Sequence, residues 1–328
     1  MIPDPATPAG AVAAPPTLAA GAGERRTYDL LARRGLDVLE TTPCLLCGRV
    51  DGETLVDDPP FRVILCAGCG LGYTSPRVRA DKLPELYNAG YFTSESAGDF
   101  GYASYTADRD GFVRTFRLKA DLLERHVRSG RVLEVGCAAG FFLNELRARG
   151  YETWGTEIGE DVFAHARDAL GLPNLYRGPL ETFEPPPEPF DAAAMFDVIE
   201  HIADPLDALR RLRRMLKPGG ALLLQTQDVS SLTRRLMGRK WTHFKQLEHV
   251  YHFSPTTLRT LLDRAGFDLV ELRKRGAGKF VSVGFLIDRM ARFHPWLHGT
   301  AKLLTPWRKT FLYVNPWDEM LAVARARG

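Results

Sequence analysis

Four cysteines in the sequence have the spacing of a metal site. Cys44 and Cys47 form one Cys-x-x-Cys-Gly turn, and Cys66 and Cys69 form a second one after 18 intervening residues. Two such turns bring four thiolates to where tetrahedral zinc needs them, and each following glycine lets backbone amides face the sulfurs. Buried or redox thiols are the alternative, but they seldom occur as two matched pairs. We therefore predict a structural Zn²⁺ in a zinc ribbon over residues 41–76, a small module of its own.

The charge of the predicted ribbon argues against a nucleic-acid partner. Residues 41–76 hold two Arg against four Asp or Glu, a local charge of −2. Phosphate binding favours the opposite sign. We expect the ribbon to serve as a small lid or substrate module.

A glycine-rich turn follows the predicted strand 131–135. Its small residues are Gly136, Ala138 and Gly140, so it has neither the G-x-G-x-x-G of dinucleotide sites nor the lysine of a P-loop. The backbone amides of such a turn and the helix that begins there can hold a polar cofactor. Glu157 ends the second predicted strand, where its carboxylate can accept hydrogen bonds from both hydroxyls of a ribose.

These residues are positioned by strands and helices that alternate from Arg131 onward, as in a parallel sheet covered on both faces. The pattern predicts strands at 131–135, 151–156, 174–177, 190–196, 221–226, 267–274 and 319–325, and helices at about 108–127, 140–149, 159–170, 204–216 and 255–265. Asp204-Pro205 and Ser254-Pro255 each supply an N-cap and a proline at the first helical position, and Pro218-Gly219-Gly220 is expected to separate a helix from the fifth strand.

Length and composition limit the class of protein. The 328 residues suggest about two domains, and a hydrophobic content of 45% excludes a disordered protein. Residues 1–23 are rich in Ala, Pro and Gly without the features of a signal peptide, and we predict a disordered tail. We further predict a linker helix over 24–40 and an aromatic connecting or lid segment over 77–107. The apolar stretch 280–287 is too short to span a bilayer, and we expect a soluble, cytoplasmic protein.

The glycine turn and its neighbours resemble the class I S-adenosylmethionine-dependent methyltransferases. The resemblance runs from about residue 108 to 326 through Glu134-x-Gly136-x-Ala138-x-Gly140, Glu157, Phe190-Asp191 and Leu216-Lys-Pro-Gly-Gly220. It implies a methyltransferase domain over 108–328, with a Rossmann-like α/β sheet of seven strands whose last strand is reversed, and S-adenosylmethionine as the cofactor. It puts Glu134 and the glycine turn near the methionine part, Glu157 on the ribose, and Glu181 near the adenine. The further cofactor residues that it implies are Cys137, whose thiol we expect to pack, Phe141, Ile158, Phe196, Asp197 and His201.

Methyl transfer to a hydroxyl or a carbon acid also needs a base, because the acceptor loses a proton. The segment Glu248-His249-Val-Tyr251-His252-Phe253 resembles the Glu-His-x-x-Tyr-Phe segment of deoxysugar C-methyltransferases, which also begin with a zinc-binding cysteine module and a tyrosine-rich stretch. The resemblance implies that His249 is the base, that Glu248 orients it, and that Tyr91 or Tyr251 lines the acceptor pocket. Alternatively, His249 is a helix-entry residue held by backbone contacts.

The acceptor and the need for a metal stay open. The deoxysugar enzymes continue into a long C-terminal domain and this sequence ends at 328, so a sugar hydroxyl, on a nucleotide-linked sugar or another metabolite, is as good a candidate as a carbon. Asp197, Glu200 and His201 share one face of a helical turn and could bind a divalent metal with His249 or His252, as in plant small-RNA 2′-O-methyltransferases. We favour a metal-free pocket. The alternative functions are a metal-assisted RNA 2′-O-methyltransferase, against which the acidic ribbon argues, and a zinc-ribbon adaptor without activity.

Residues 276–317 form a basic, aromatic insertion. They hold six Lys or Arg against one Asp, a charge of +5, and three Trp. Such a segment can lie on an anionic membrane or contact a pyrophosphate-bearing substrate. We expect it instead to cover one edge of the sheet, as amphipathic helices commonly do, and peripheral membrane contact is the alternative.

Overall fold

The strands and helices of the structure follow the predicted alternation closely. The structure, a computed structural model, describes residues 35–83, 109–290 and 302–328. Its strands are β1 Leu39–Glu40, β2 Gly52–Asp58, β3 Phe61–Cys66, β4 Gly72–Thr74, β5 Arg77–Val78, β6 Arg131–Val135, β7 Glu152–Glu157, β8 Asn174–Arg177, β9 Phe190–Phe196, β10 Leu216–Gln227, β11 Tyr251–His252, β12 Phe267–Arg273, β13 Lys279–Ser282, β14 Phe311–Val314 and β15 Glu319–Ala326. Its α-helices are α1 Arg109–Glu124, α2 Phe141–Ala148, α3 Glu160–Ala164, α4 Pro205–Met215, α5 Leu232–Met237, α6 Pro255–Arg264 and α7 Val283–Met290.

Some predicted segments lie outside the described residues. These are the tail 1–23 and most of the connecting segment 77–107, including Tyr91. The predicted helix 24–40 is described only from residue 35, where Leu36–Val38 form a 3₁₀ turn. The structure differs from the prediction at the end of this segment, because β1 pairs with β5 there as a strand.

Seven strands form the central sheet, in the order β12-β15-β10-β9-β6-β7-β8. Strand β15 is antiparallel to both β10 and β12, and the pairs from β10 to β8 are parallel. The predicted seven-stranded sheet with a reversed last strand is confirmed. Because β6 and β9 are neighbours although β7 and β8 lie between them in sequence, the strand order reverses at this point. Open α/β sheets bind ligands outside the carboxyl ends of the strands at such a reversal.

Helices cover both faces of the sheet, because successive strand residues point to opposite sides. On one face, Leu123 of α1 and Phe142 of α2 belong to the same apolar cluster as Ala194 of β9. On the other face, Leu209 of α4 belongs to a cluster with Ala193 of the same strand. The glycine turn between β6 and α2 is thus held by two packed layers.

Local capping signals specify where two of these helices begin. The Asp204 carboxylate accepts a hydrogen bond from the backbone N–H of Asp207 at 3.0 Å. Ser254 and Thr257 form a reciprocal capping box. Both predicted N-caps are confirmed. The predicted helix 159–170 instead divides into α3 and the π turn His165–Ala169.

Strand β10 begins earlier than predicted. Leu216 already pairs with Phe190 of β9, so the strand begins there and not at residue 221. The register then shifts before Ala221 pairs with Ala192. Pro218-Gly219-Gly220 therefore belongs to the irregular start of a strand, where Gly219 adopts a φ of 75°.

The cysteine module is joined to the rest of the protein through backbone pairing. Its sheet has the order β11-β4-β3-β2, and β11 comes from the segment after β10. Tyr251 pairs with Tyr73, and His252 pairs with Gly72. The ribbon sheet is therefore not built from residues 41–76 alone, because its edge strand β11 lies in the segment that follows β10.

The insertion 276–317 contains a two-stranded antiparallel sheet of β13 and β14, with α7 between the two strands in sequence. Val283 and Ile287 of α7 are buried together. Among the residues that the structure describes, no helix combines the length and apolar character needed to cross a bilayer.

Candidate active site

The glycine turn has a backbone shape that demands small residues. Gly136, Ala138 and Gly140 have φ values of 70°, 45° and 79°, in the left-handed region that glycine adopts without strain. A Cβ added to Gly136 would lie 2.6 Å from Val198 Cγ2, and one added to Gly140 would lie 2.5 Å from Leu172 Cδ1. The turn therefore presents its backbone at the carboxyl end of β6.

Glu157, at the end of β7, braces this turn. One carboxylate oxygen accepts a hydrogen bond from the Ala138 amide at 2.8 Å, and the other accepts one from the Gly159 amide at 2.6 Å. Burial raises the pKa of Glu157 above its usual value, although these two amide bonds oppose the shift. A carboxylate oxygen can accept more than one hydrogen bond, so Glu157 can hold the turn and still accept from a ligand's hydroxyls.

Glu134 is the other buried carboxylate beside the turn. Its side chain is almost fully buried, and Oε2 has no hydrogen-bond partner. Burial, and then the charge of Glu157, raise the pKa of Glu134 well above its usual value. A buried acceptor without a partner costs free energy, so the arrangement fits a ligand that brings a hydrogen-bond donor or a positive charge. Glu134 and the glycine turn together form a fitting cradle for a cofactor with an amino group.

We expect Glu134→Gln to stabilise the free protein and to weaken cofactor binding. A carboxylate whose pKa is raised on folding makes the native state bind more protons than the unfolded state, so the free energy of unfolding falls as pH rises above about 4.5. Glutamine removes this dependence, and the gain in melting temperature over the wild type should grow with pH. The affinity for S-adenosylhomocysteine, measured by calorimetry, should fall by roughly tenfold to a hundredfold. Equal affinity in both proteins would contradict a cofactor role for Glu134.

The other predicted cofactor residues have varied surroundings. Cys137 is buried, and a Cβ added to Gly155 would lie 2.9 Å from its Sγ. This close contact agrees with a packing role for the thiol. Phe141 stacks on Phe112 at a centroid distance of 5.5 Å. Phe196 contacts Phe142 edge to face at 4.9 Å, so its ring belongs to the layer between sheet and helices.

Two further predicted cofactor residues reach the protein surface. Ile158 is partly exposed. Glu181 is exposed on a one-turn 3₁₀ helix after β8, and its carboxylate stands at the protein surface.

A cluster of a carboxylate and two imidazoles lies beyond β9. One ligand-type atom from each of Glu200, His201 and His249 lies within 4.8 Å of the others. The His201 and His249 rings meet edge to face at a centroid distance of 4.6 Å. The chain segments meet there because the backbone N–H of Val250 donates to the carbonyl of Glu200 at 2.9 Å. The structure thus brings together two groups that are about fifty residues apart in sequence.

Burial controls the protonation of this cluster. His249 is 4% exposed, its Nδ1 has no hydrogen-bond partner, and burial with the nearby histidines and Lys245 lowers its pKa well below the usual value. Burial, and then the charge of Asp197, raise the pKa of Glu200 to about 8. The His249 ring is therefore neutral at physiological pH, and a neutral imidazole nitrogen without a partner can accept a proton or bind a metal.

Two predicted partners of His249 have other contacts. The Glu248 carboxylate lies 3.6 Å from Lys245 Nζ, and since His249 Nδ1 has no partner, Glu248 does not hold that nitrogen. The Tyr251 hydroxyl lies 3.0 Å from the guanidinium of Arg77 and donates to the carbonyl of Ala203 at 3.2 Å. Tyr251 is therefore part of the junction with the ribbon, and the Tyr91 prediction stays outside the described residues.

Sequence reasoning missed a polar network next to Asp197. Lys279 of β13 donates to Asp197 at 2.8 Å and lies 3.1 Å from Glu319 of β15. Gln225 donates to Glu319, and the buried Lys119 of α1 donates to Gln225. Four elements, which are α1, β10, β13 and β15, thus meet next to the residue that follows β9. One signal in the sequence was available, since Gln225-Thr226-Gln227 follows the apolar run of β10.

The network pairs opposite charges, since Lys279 lies next to both Asp197 and Glu319. Burial lowers the pKa of Lys119 to about 8, and burial raises the pKa of Glu319 to about 7. Burial opposes ionisation of Asp197, but the charge and hydrogen bond of Lys279 lower its pKa below the usual value. Lys279 therefore keeps Asp197 ionised at the carboxyl end of β9, and it connects the insertion 276–317 to this end of the sheet.

The four cysteines form a compact cluster of their own. Their sulfurs all lie within 4.8 Å of one another, with 3.4 Å between Cys44 and Cys69 and 3.3 Å between Cys47 and Cys66. Zinc bound by four thiolates at about 2.3 Å separates the sulfurs by about 3.8 Å. The separations are far longer than a disulfide bond, which is about 2.05 Å. The sequence-predicted cysteines therefore meet in a geometry that fits one tetrahedral ion.

Comparison with known proteins assigns the family. Residues 105–272, just over half of the chain, match the family described as methyltransferase domain. Together with the seven-stranded sheet and its reversed last strand, this shows that the chain belongs to the methyltransferase domain family.

Its curated relatives include enzymes of quinone biosynthesis. The ubiquinone biosynthesis O-methyltransferase of Cereibacter sphaeroides is 29% identical over 152 residues, which cover 43% of this chain and 61% of the relative. The protein of the same name from Ruegeria pomeroyi is 29% identical over 191 residues, or 55% of this chain and 70% of the relative. The chain thus spans 61% of the length of the first of these relatives. Among solved structures, magnesium protoporphyrin IX methyltransferase from Synechocystis PCC 6803 is similar with a TM-score of 0.49 and 15% identity, over 76% of this chain and all of that one.

Proposed function

We propose that the protein transfers a methyl group from S-adenosylmethionine to a small-molecule acceptor. The observation that carries this proposal is the cradle of the glycine turn, where a buried Glu134 oxygen has no partner and glycine is required at two positions. Membership of the methyltransferase domain family supports the same cofactor.

Three groups of this chain would hold the cofactor: the amides of the glycine turn, Glu134 and Glu157. The amides of the glycine turn and Glu134 would meet the methionine part, and Glu157 would accept from the ribose hydroxyls while it braces Ala138. The bound cofactor would supply an electrophilic methyl group on a sulfonium. Because displacement at a methyl group is in line, the main task of the site is to align donor and acceptor and to exclude water.

His249 is our candidate for the general base. Its ring is buried and neutral, and Nδ1 is free of hydrogen bonds. On our proposal this nitrogen takes the proton of the acceptor while the methyl group is transferred. His201 lies edge to face with the His249 ring and would keep it in place.

The acceptor that we favour is a hydroxyl-bearing metabolite, and a nucleotide-linked sugar is our first candidate. Relatives named as O-methyltransferases support a hydroxyl acceptor. The sugar rests on the combination of an N-terminal cysteine module with the Glu248-His249 segment.

We also propose that the four cysteines hold a structural zinc ion. The support is the compact sulfur cluster and the chemistry of four thiolates, which prefer zinc with tetrahedral geometry. The ion would stabilise the ribbon sheet and, through β4, the strand β11 beside His249.

A second candidate is metal-assisted transfer to a hydroxyl at the cluster of Glu200, His201 and His249. The convergence of one carboxylate and two imidazoles within 4.8 Å favours it, since such a set can hold a divalent transition metal. The Thr226 hydroxyl donates to Glu200 at 3.0 Å, which resembles the outer support that metal ligands usually have. In this case His249 would be a ligand in place of the base.

One experiment tests the function and separates the two candidates. The protein is incubated with S-adenosylmethionine and a panel of nucleotide sugars, with magnesium or manganese or with a chelator, and the products are analysed by mass spectrometry. We expect a product heavier by one CH₂ that forms without added metal. A product formed only with metal would favour the second candidate, and failure to bind S-adenosylhomocysteine would contradict the proposed function itself.

A further inference from the structure

Two segments carry most of the large apolar side chains that the described part of the chain exposes. Of eleven such side chains, eight lie in residues 232–240 and 302–317. Leu236 is 79% exposed, Leu303 is 78% exposed and Trp307 is 57% exposed. We call these two segments the basic apolar surface. Large apolar groups concentrated on a protein surface commonly mark an interaction site.

The charge of the basic apolar surface has one sign. Residues 232–240 and 302–317 contain seven Lys or Arg and no Asp or Glu. One of the seven, Arg308, pairs at 2.9 Å with Asp288, which lies outside these ranges. Arg239 is partly engaged, since it donates to the carbonyl of Asp57. Arg235 and Lys309 are exposed, and they leave the surface strongly positive.

The two segments are connected to each other and, through the insertion 276–317, to the carboxyl end of β9. The Thr233 hydroxyl of α5 donates to the carbonyl of Pro316 at 2.5 Å, so α5 and the end of the insertion are adjacent. The 3₁₀ helix Lys302–Trp307 is anchored on α7 by a hydrogen bond from the Gly284 amide to the Arg308 carbonyl at 3.0 Å. The same insertion carries Lys279, which donates a hydrogen bond to Asp197 at the carboxyl end of β9.

We propose that the basic apolar surface docks the protein on an anionic lipid bilayer. Leu and Trp side chains among Lys and Arg are the composition with which proteins enter the membrane interface, where the rings and aliphatic groups are buried and the cations meet anionic headgroups. A second copy of this chain is a poorer occupant, because a two-fold interface would bring positive segments face to face. Val283 and Ile287 of the insertion are buried against each other, whereas Leu303 and Trp307 are exposed and do not cover the edge of the sheet.

Sedimentation of the full-length protein with lipid vesicles tests this proposal. We expect binding to vesicles of phosphatidylcholine mixed with phosphatidylglycerol at low ionic strength, little binding to pure phosphatidylcholine, and loss of binding as salt is raised. The pair Arg235→Gln and Lys309→Gln should weaken binding roughly thirtyfold. The pair Leu303→Ser and Trp307→Ser should weaken it as well, since it removes the apolar anchors.

Matched controls make the test decisive. Arg125→Gln with Arg210→Gln removes two exposed arginines from elsewhere and should leave vesicle binding unchanged. The affinity of each variant for S-adenosylhomocysteine is measured by calorimetry. Unchanged affinity shows that the variant is folded, and it tests the cofactor site separately from lipid binding. The proposal is overturned if the wild type does not bind anionic vesicles. It is equally overturned if the control pair weakens binding as much as the pair Arg235→Gln and Lys309→Gln does. It is also overturned if light scattering finds a dimer that Leu303→Ser and Trp307→Ser dissociate.

Discussion

The substitution His249→Gln is expected to lower kcat by about 10²–10⁴-fold, the usual contribution of a general base. The effect should be this large because no second neutral imidazole with a free nitrogen lies as close to Glu200 and His201 among the described residues. Affinity for S-adenosylhomocysteine should stay the same, since the cofactor cradle is built from the turn after β6. Because the pKa of His249 lies well below its usual value, activity should persist below pH 6.5 without loss from protonation of this ring.

The control for this substitution is His252→Gln. His252 is also buried, and its ring lies 6.2 Å from that of His249, but it is not part of the cluster with Glu200. The variant His252→Gln should keep most of the wild-type kcat. It shows how much the loss of a buried imidazole costs by itself. Full turnover by His249→Gln with an identified acceptor would refute the assignment of His249 as the general base. A loss of bound metal in His249→Gln, measured by elemental analysis, would assign the residue to the metal-assisted alternative.

Removal of zinc should abolish methyl transfer as well as unfold the ribbon. Structural zinc contributes on the order of 10 kcal/mol to the folding of small cysteine modules, so a chelator should lower the melting temperature strongly. Activity should fall too, because β4 pairs with β11 and because the Thr74 hydroxyl donates to the carbonyl of His249 at 2.8 Å. Disorder of the ribbon sheet would release the segment that holds His249.

Variants of single cysteines give the matched comparison. Cys44→Ser should lose zinc and activity together, whereas Cys137→Ala should retain one zinc per chain, since Cys137 lies in the glycine turn and not in the cluster. Zinc content is measured by atomic absorption, and thermal unfolding by calorimetry. A chelator that changes neither zinc content nor melting temperature would refute the structural zinc. Loss of zinc with full retention of turnover would refute the coupling between the ribbon and His249.

Features that depend on neighbouring residues could be predicted from the sequence. The Asp204 and Ser254 caps, the glycine turn and the two cysteine turns are each specified within a few residues, where spacing and backbone preference act directly. The alternation of strands and helices predicted the sheet, because period and length distinguish the two kinds of element. Strand boundaries were less accurate, and β10 shows why: its first residue is decided by pairing with Phe190 of β9 and not by the Pro-Gly-Gly signal.

By itself, the sequence thus determined the class of fold, the glycine turn and the identity of the four clustered cysteines. Tertiary structure alone decided that the ribbon sheet ends in β11, that Glu200 and His201 face His249, and that Lys279 binds Asp197. These contacts join residues that are tens to nearly two hundred positions apart, and no local propensity encodes such pairings. They form because burial in the folded chain leaves polar groups that must find partners wherever the packed elements meet.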